Sequence, residues 1–228
     1  MKKGILFALI LVLFVFAGCE NGEDSVASSA IEPVLGFEDV SSGDWFYRYV
    51  VAGLRFGLIT AEESESLRFE PDRDVTQGEF ITMLGRLHEY GHGVIGVPGE
   101  EVIYYERYVA WALEMGIVHR YRYWELMPDS PINREQKVVM LYQYLNIFDL
   151  WDYVRFEHGT LTEAFRDYSE ISYWARRPVE IFRSDFMIFR RDGYFEPYTA
   201  VTRAEALAMM TQIGNALYDQ RYPITLQQ

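Results

Sequence analysis

The chain has 228 residues, half of them apolar, with 34 acidic against 21 basic side chains and a formal net charge of −13. That balance argues against nucleic acid as a partner and against a polybasic membrane patch, both of which need clustered Lys and Arg. With 17 Tyr, 15 Phe and 5 Trp the chain can build a sizeable core, so one domain or one compact set of repeats is expected.

At the start, Lys2 and Lys3 precede an apolar run from Ile5 to Ala17 that ends in Gly18-Cys19. The run is shorter than the roughly 20 residues of a membrane-spanning helix, and residues 1–18 read as a secretory signal that is cut away. Loss of Lys2 and Lys3 takes the formal charge from −13 to −15. Cys19 is the only cysteine, which rules out an intramolecular disulfide. Its place after Phe16-Ala17-Gly18 resembles the bacterial lipobox, with Phe16 where Leu is usual. The resemblance implies lipidation of Cys19 and membrane attachment through more than one acyl chain. Residues 19–36 are small, acidic and Ser/Ala-rich with no apolar period, the pattern of a flexible tether.

Beyond the tether one pattern recurs three times. An apolar or aromatic residue stands two positions before a proline in Phe69-Glu70-Pro71, Leu126-Met127-Pro128 and Phe195-Glu196-Pro197. Five residues after each proline comes a helix start: Thr76-Gln77-Gly78-Glu79, Asn133-Arg134-Glu135-Gln136 and Thr202-Arg203-Ala204-Glu205. Each has a capping residue followed three positions later by Glu or Gln, the reciprocal capping box or its Asn variant. Behind each cap the same offsets are apolar: Ile81, Met83, Leu84 and Leu87; Val138, Met140, Leu141 and Tyr144; Leu207, Met209, Met210 and Ile213. Those offsets form one helical stripe.

Upstream of each proline a second helical pattern opens on an aromatic residue, over 45–58, 104–118 and 174–187. The first two close on Gly57 and Gly116, where glycine suits a helix C-terminus. The third carries Pro178 and is expected to start late or bend. The resulting division is a signal (1–18), a tether (19–36), copy one (37–90), a loop (91–101), copy two (102–146), a connector (147–164), copy three (165–217) and a tail (218–228). The fold class is mainly all-α, a bundle of three helix–loop–helix units with minimal β segments.

These residues resemble the S-layer homology family, whose repeats start with Phe-x-Asp-Val, continue through a Trp-Ala helix ending in Gly-Ile, and finish with Phe-x-Pro and Thr-Arg-Ala-Glu. Copy three keeps Phe165-Arg166-Asp167, Trp174-Ala175, Asp192-Gly193, Phe195-Glu196-Pro197 and Thr202-Arg203-Ala204-Glu205. Copy one keeps Phe37-Glu38-Asp39-Val40, Trp45, Gly57-Leu58-Ile59 and Phe69-Glu70-Pro71, with Gln77 at the Arg position. Copy two has Tyr104 at the Trp position and Asn133-Arg134-Glu135-Gln136 at the end.

The resemblance implies a pseudo-threefold helical spindle with grooves between copies that hold cell-wall glycan, often a pyruvylated secondary polymer. It points to Arg203 and Arg134 as anion contacts, with Trp174 and Trp45 as aromatic partners, and to Gln77 and Tyr104 as marks of weakened grooves. An Arg in the first turn of a capped helix lies beside backbone donors, which suits a carboxylate. No cofactor is implied. The function expected is that of a non-enzymatic, lipid-anchored cell-envelope protein. Its partners are a cell-wall polysaccharide and, through Cys19, a membrane. The alternative is a degenerate repeat scaffold that docks another envelope protein.

A third reading comes from His88-Glu89-Tyr90-Gly91-His92, which matches H-E-x-x-H, the zinc-peptidase pattern of two His on one helix face with a Glu base. Gly91 and Gly93 are expected to break the turn that aligns His92 with His88. Pro98 occupies the place of a further His, so Glu106 or Glu114 would have to complete the ligands.

Overall fold

The computed structural model describes residues 36–60, 67–95, 105–119, 124–154, 165–182 and 193–218. The signal sequence, Cys19, Tyr104 and the tail from residue 219 lie outside them. Among the described residues the chain is helical, as the stripes and caps predict. The elements are α1 (Tyr47–Arg55), α2 (Gln77–His92), α3 (Glu106–Met115), α4 (Arg134–Ile147), a single 3-10 turn (Tyr168–Glu170), α5 (Arg176–Phe182) and α6 (Arg203–Tyr218). None of these helices is long and apolar enough to cross a membrane.

The three long helices start where the sequence places their caps. The side chain of Thr76 accepts the N–H of Glu79 while the Glu79 carboxylate accepts the N–H of Thr76. Asn133 and Gln136 exchange the same pair at α4, and Thr202 and Glu205 at α6. A side-chain cap satisfies the third N–H of each helix, at about 1 kcal/mol. The first two N–H groups need partners from elsewhere.

Those partners come from the next copy, in a cyclic pattern. Gln77 and Gly78 donate their N–H groups to the carbonyls of Ser130 and Pro128, Arg134 and Glu135 to Thr199 and Pro197, and Arg203 and Ala204 to Arg73 and Pro71. One residue before each cap, Val75, Ile132 and Val201 close a ring. Val75 donates to Val201, Val201 to Ile132, and Ile132 to Val75, at 2.8–3.0 Å. Isolated bridges Asp74–Thr202, Thr76–Pro131 and Asn133–Ala200 accompany it. Three segments making the same bonds in rotation are the pseudo-threefold arrangement.

Packing follows the same rotation. The short first helix of each copy lies on the long helix of the preceding one: α3 on α2, α5 on α4, and α1 on α6, which closes the circle. The apolar stripes meet inside. Ile81, Leu84, Leu87, Val138, Leu141, Tyr144, Leu207, Met210 and Ile213 have no exposed surface, and each buried aliphatic side chain contributes about 1.5–3 kcal/mol. Glycine permits the closest approach: a Cβ on Gly85 would stand 2.2 Å from the ring of Tyr108, which seats α3 against α2. Pro178 occupies the third position of α5, in the first turn, where its missing N–H costs no intrahelical bond. The helix accordingly begins two residues after Trp174.

Candidate functional site

Each junction at the capped end combines the first residue of a long helix with the proline turn of the next copy. In copies one and three an aspartate builds the turn. The Asp39 carboxylate accepts the N–H groups of Phe69 and Glu70 at 2.6 and 2.8 Å, and Asp167 those of Phe195 and Glu196 at 2.9 and 2.6 Å. Glu70 and Glu196 have φ of 54° and 55°, a left-handed conformation that costs about 1–2 kcal/mol for a residue with a Cβ. The aspartate holds that strain in place and presents the Phe ring to the neighbouring helix.

What sits over that ring differs between junctions. The Arg203 guanidinium lies 5.2 Å from the centroid of Phe69, and the side chain is half-buried. Phe69 packs at 5.7 Å on Phe46, which packs at 5.7 Å on Trp45. Trp45 is 50% exposed. Arg203 and Trp45, from opposite ends of the sequence, thus border one aromatic patch. Arg73 bridges Glu70 and Glu79 at 3.3 and 2.7 Å beside it, so two guanidinium groups face two carboxylates and the local charge is near balance in an otherwise acidic protein.

Arg134 takes the same place over Phe195, 5.4 Å from its centroid, but has no exposed surface, and its Nε donates to the Phe195 carbonyl. The neighbouring Glu135 accepts both the N–H and the hydroxyl of Ser172, two residues before Trp174. Trp174 is half-buried with its ring 5.3 Å from that of Trp124. Gln77, 1% exposed, accepts the indole N–H of Trp124 and the N–H of Met127, both at 3.3 Å. It thereby holds the copy-two turn, in which Met127 keeps a negative φ. Tyr104 lies outside the described residues.

One expectation needs correction. The backbone donors beside Arg134 and Arg203 are not open to a ligand, because the next copy's turn takes them. The junctions lie between copies: Arg203 shares its junction with Trp45 of copy one, and Arg134 with Trp174 of copy three.

The comparison with known families bears on this geometry. Residues 36–81 match the model of the S-layer homology domain. That segment is an S-layer homology domain. The matched residues take in Asp39, Trp45, α1, the Phe69 turn and the start of α2. No curated protein matches the chain. S-layer homology domains are binding modules rather than catalysts and attach proteins to the cell wall, which associates this chain with the cell envelope.

Beyond the matched residues, the metal-like motif takes a form that differs from expectation. α2 runs through Gly91 to His92 and ends at Gly93, so His92 does stand beside His88. Glycine is retained inside the helix because the Tyr218 ring occupies the place of a Cβ at residue 91. Even so, the two imidazoles stack with centroids 4.4 Å apart and planes 10° from parallel. Parallel rings send their lone pairs side by side rather than to one point. Glu89 is engaged by Arg107 at 2.8 Å, by the Tyr108 hydroxyl and by the N–H of Ile95. No group of three or more metal-ligating side chains occurs among the described residues.

Proposed function

We propose that the protein is a lipid-anchored envelope protein that holds cell-wall glycan at the junction of copies three and one, with Arg203 as the anion contact and Trp45 as the sugar platform. The observation that carries this reading is accessibility. Of the three residues at the equivalent helix position, Gln77 and Arg134 are enclosed, while Arg203 is half-buried beside an exposed Trp. A guanidinium held over an aromatic ring can direct its N–H fork to a carboxylate or ketal-linked acid. An indole face offers apolar area to a sugar ring. The lipid on Cys19, the tether and the glycan contact together join a membrane to the wall. On this reading copies two and three are diverged members of the same family, and Gln77 and Arg134 serve the fold rather than the ligand.

Co-sedimentation of the purified chain with cell-wall sacculi tests this. Retention is expected for the wild type and for Gln77→Glu, and loss of about tenfold or more for Arg203→Ala and for Trp45→Ala. Retention unchanged in both variants overturns the assignment. The enclosed state of two of the three junctions also suits a scaffold that docks another envelope protein. That reading predicts no retention on sacculi and recovery of one specific protein after cross-linking.

A further inference from the structure

The residue two positions before each turn's first apolar residue differs in every copy: Leu67, Trp124 and Gly193 stand before Phe69, Leu126 and Phe195. In copies one and three its carbonyl accepts an N–H from the start of the same copy, Leu67 from Glu38 and Gly193 from Arg166, and its φ is positive, 53° and 85°. Trp124 keeps a negative φ. Its indole N–H donates instead to Gln77 of copy one, and its ring packs 5.3 Å from that of Trp174 in copy three. One side chain of copy two thus touches both of the other copies.

That contact separates two junctions that are otherwise built alike. At the junction of copies two and three the Arg134 guanidinium lies over Phe195, as that of Arg203 lies over Phe69 at the junction of copies three and one, at 5.4 and 5.2 Å. Trp174 has the place in the first that Trp45 has in the second. In the rotation, the copy that precedes Trp174 offers Trp124, whereas the copy that precedes Trp45 offers Gly193, which has no side chain to lay on it. Trp174 is accordingly half-buried and Trp45 50% exposed. An indole brings to its neighbour a flat apolar face of the kind a sugar ring would bring.

We propose that Trp124 is a built-in occupant of a second sugar platform: it packs on Trp174 in the place of a sugar ring, Gln77 fastens it from copy one, and its removal opens a site at the junction of copies two and three. The inference rests on the reading of Trp45 as the platform of the first site. The two platforms differ in the ligand they take. Arg134 and Lys137 have no exposed surface, and Glu135 is 2% exposed with its carboxylate on Ser172. The charges at the start of α4 are therefore turned inward, and the opened platform takes an uncharged sugar face. Gly193 is the counterpart at the first site, where the missing side chain leaves Trp45 to solvent and sets which junction binds.

The test is hydroxyl-radical footprinting of the full chain, read by mass spectrometry with and without cell-wall sacculi, each tryptophan rate being referred to that of the exposed Tyr153. In the wild type Trp174 is expected to react several-fold more slowly than Trp45, and sacculi should slow Trp45. Trp124→Leu puts in copy two the residue that copy one has at this place, so the chain should fold. Its Trp174 should rise to the rate of Trp45 and be slowed by sacculi in turn. Combined with Trp45→Ala, the same substitution should raise sacculus retention several-fold above that of Trp45→Ala alone. Equal rates for Trp174 and Trp45 in the wild type, an unchanged Trp174 in Trp124→Leu, or a Trp174 that sacculi leave unprotected while they protect Trp45 each overturns the occupant and leaves the first site standing. Sacculi that protect neither ring overturn the reading of Trp45 and this inference with it.

Discussion

The aspartate that builds the proline turn of copies one and three offers the most direct check on how those copies are made. Asp167 is 5% exposed and accepts the N–H of Phe195, which has no exposed surface, and that of Glu196. Asp167→Ala removes two hydrogen bonds to a charged acceptor, each worth about 1.5–3 kcal/mol, and strands the Phe195 N–H in the interior. A total loss of about 4 kcal/mol is expected, or roughly 8–16 °C in melting temperature for a domain of this size. Asp167→Asn keeps one carbonyl oxygen but turns an amide N–H toward a backbone donor, so it should lose about half as much. The left-handed φ at Glu196 supplies an internal control. Glu196→Gly relieves a strain of about 1 kcal/mol and should recover part of the loss when combined with Asp167→Ala. Urea denaturation followed by far-ultraviolet circular dichroism measures all three. If Asp167→Ala costs less than about 1 kcal/mol, the turn does not depend on the carboxylate and the argument fails.

Gly85→Ala should lower stability by about 1–3 kcal/mol, because its Cβ would overlap the enclosed Tyr108 ring and overpacking exceeds the helix gain; calorimetry reads it. At Glu79, burial works to raise the carboxyl pKa, but the Arg73 hydrogen bond, the Thr76 backbone and the charges of Arg73 and Arg203 lower it overall. Its contribution is therefore present above the ordinary carboxylate range and lost as pH falls through the depressed value, so Glu79→Gln should flatten the acid side of a stability–pH curve. Phe69→Leu should fold, since Leu126 fills the equivalent place in copy two, yet weaken sacculus retention several-fold by removing the ring under Arg203. Arg134→Ala should cost about 3 kcal/mol of stability by leaving the Phe195 carbonyl unpaired in the interior while the folded fraction keeps its retention.

The features legible in the sequence were those whose physics is local. Thr76, Asn133 and Thr202 cap their helices through residues three positions away, and the stripe behind each cap is set by the helical period, so both could be read without knowing what lies opposite. The pairing of Arg203 with Trp45 could not, because it depends on α1 lying on α6 across almost the whole chain. The role of Gln77 was hidden for the same reason: its two donors, Trp124 and Met127, belong to the next copy. Gly91 shows local preference overruled. A glycine inside a helix costs about 1 kcal/mol, which predicted a break, but the Tyr218 ring needs the space and the helix continues. Burial of Arg134 had no local signal, because nothing in its own segment distinguishes it from Arg203.

The cyclic bonding makes a definite statement about the matched segment, residues 36–81. Although it is recognisable as one S-layer homology domain, its own contacts cannot satisfy it. Val75 donates to Val201, the carbonyls of Pro71 and Arg73 accept from Ala204 and Arg203, and Gln77 and Gly78 donate to copy two. The apolar face of α1 is covered by α6. A chain that stops at residue 147 retains copies one and two but exposes that face, opens the ring at Val75, Ile132 and Val201, and loses Arg203. It should therefore lack a cooperative melting transition as a monomer and fail to sediment with sacculi. Adding a separate fragment of 165–228 should restore the transition, because the α1–α6 seam joins parts far apart in sequence. A monomeric 36–147 fragment that unfolds cooperatively and with the native heat-capacity change per residue would show each copy to be self-sufficient, and the closed ring would then be a consequence of folding rather than its condition.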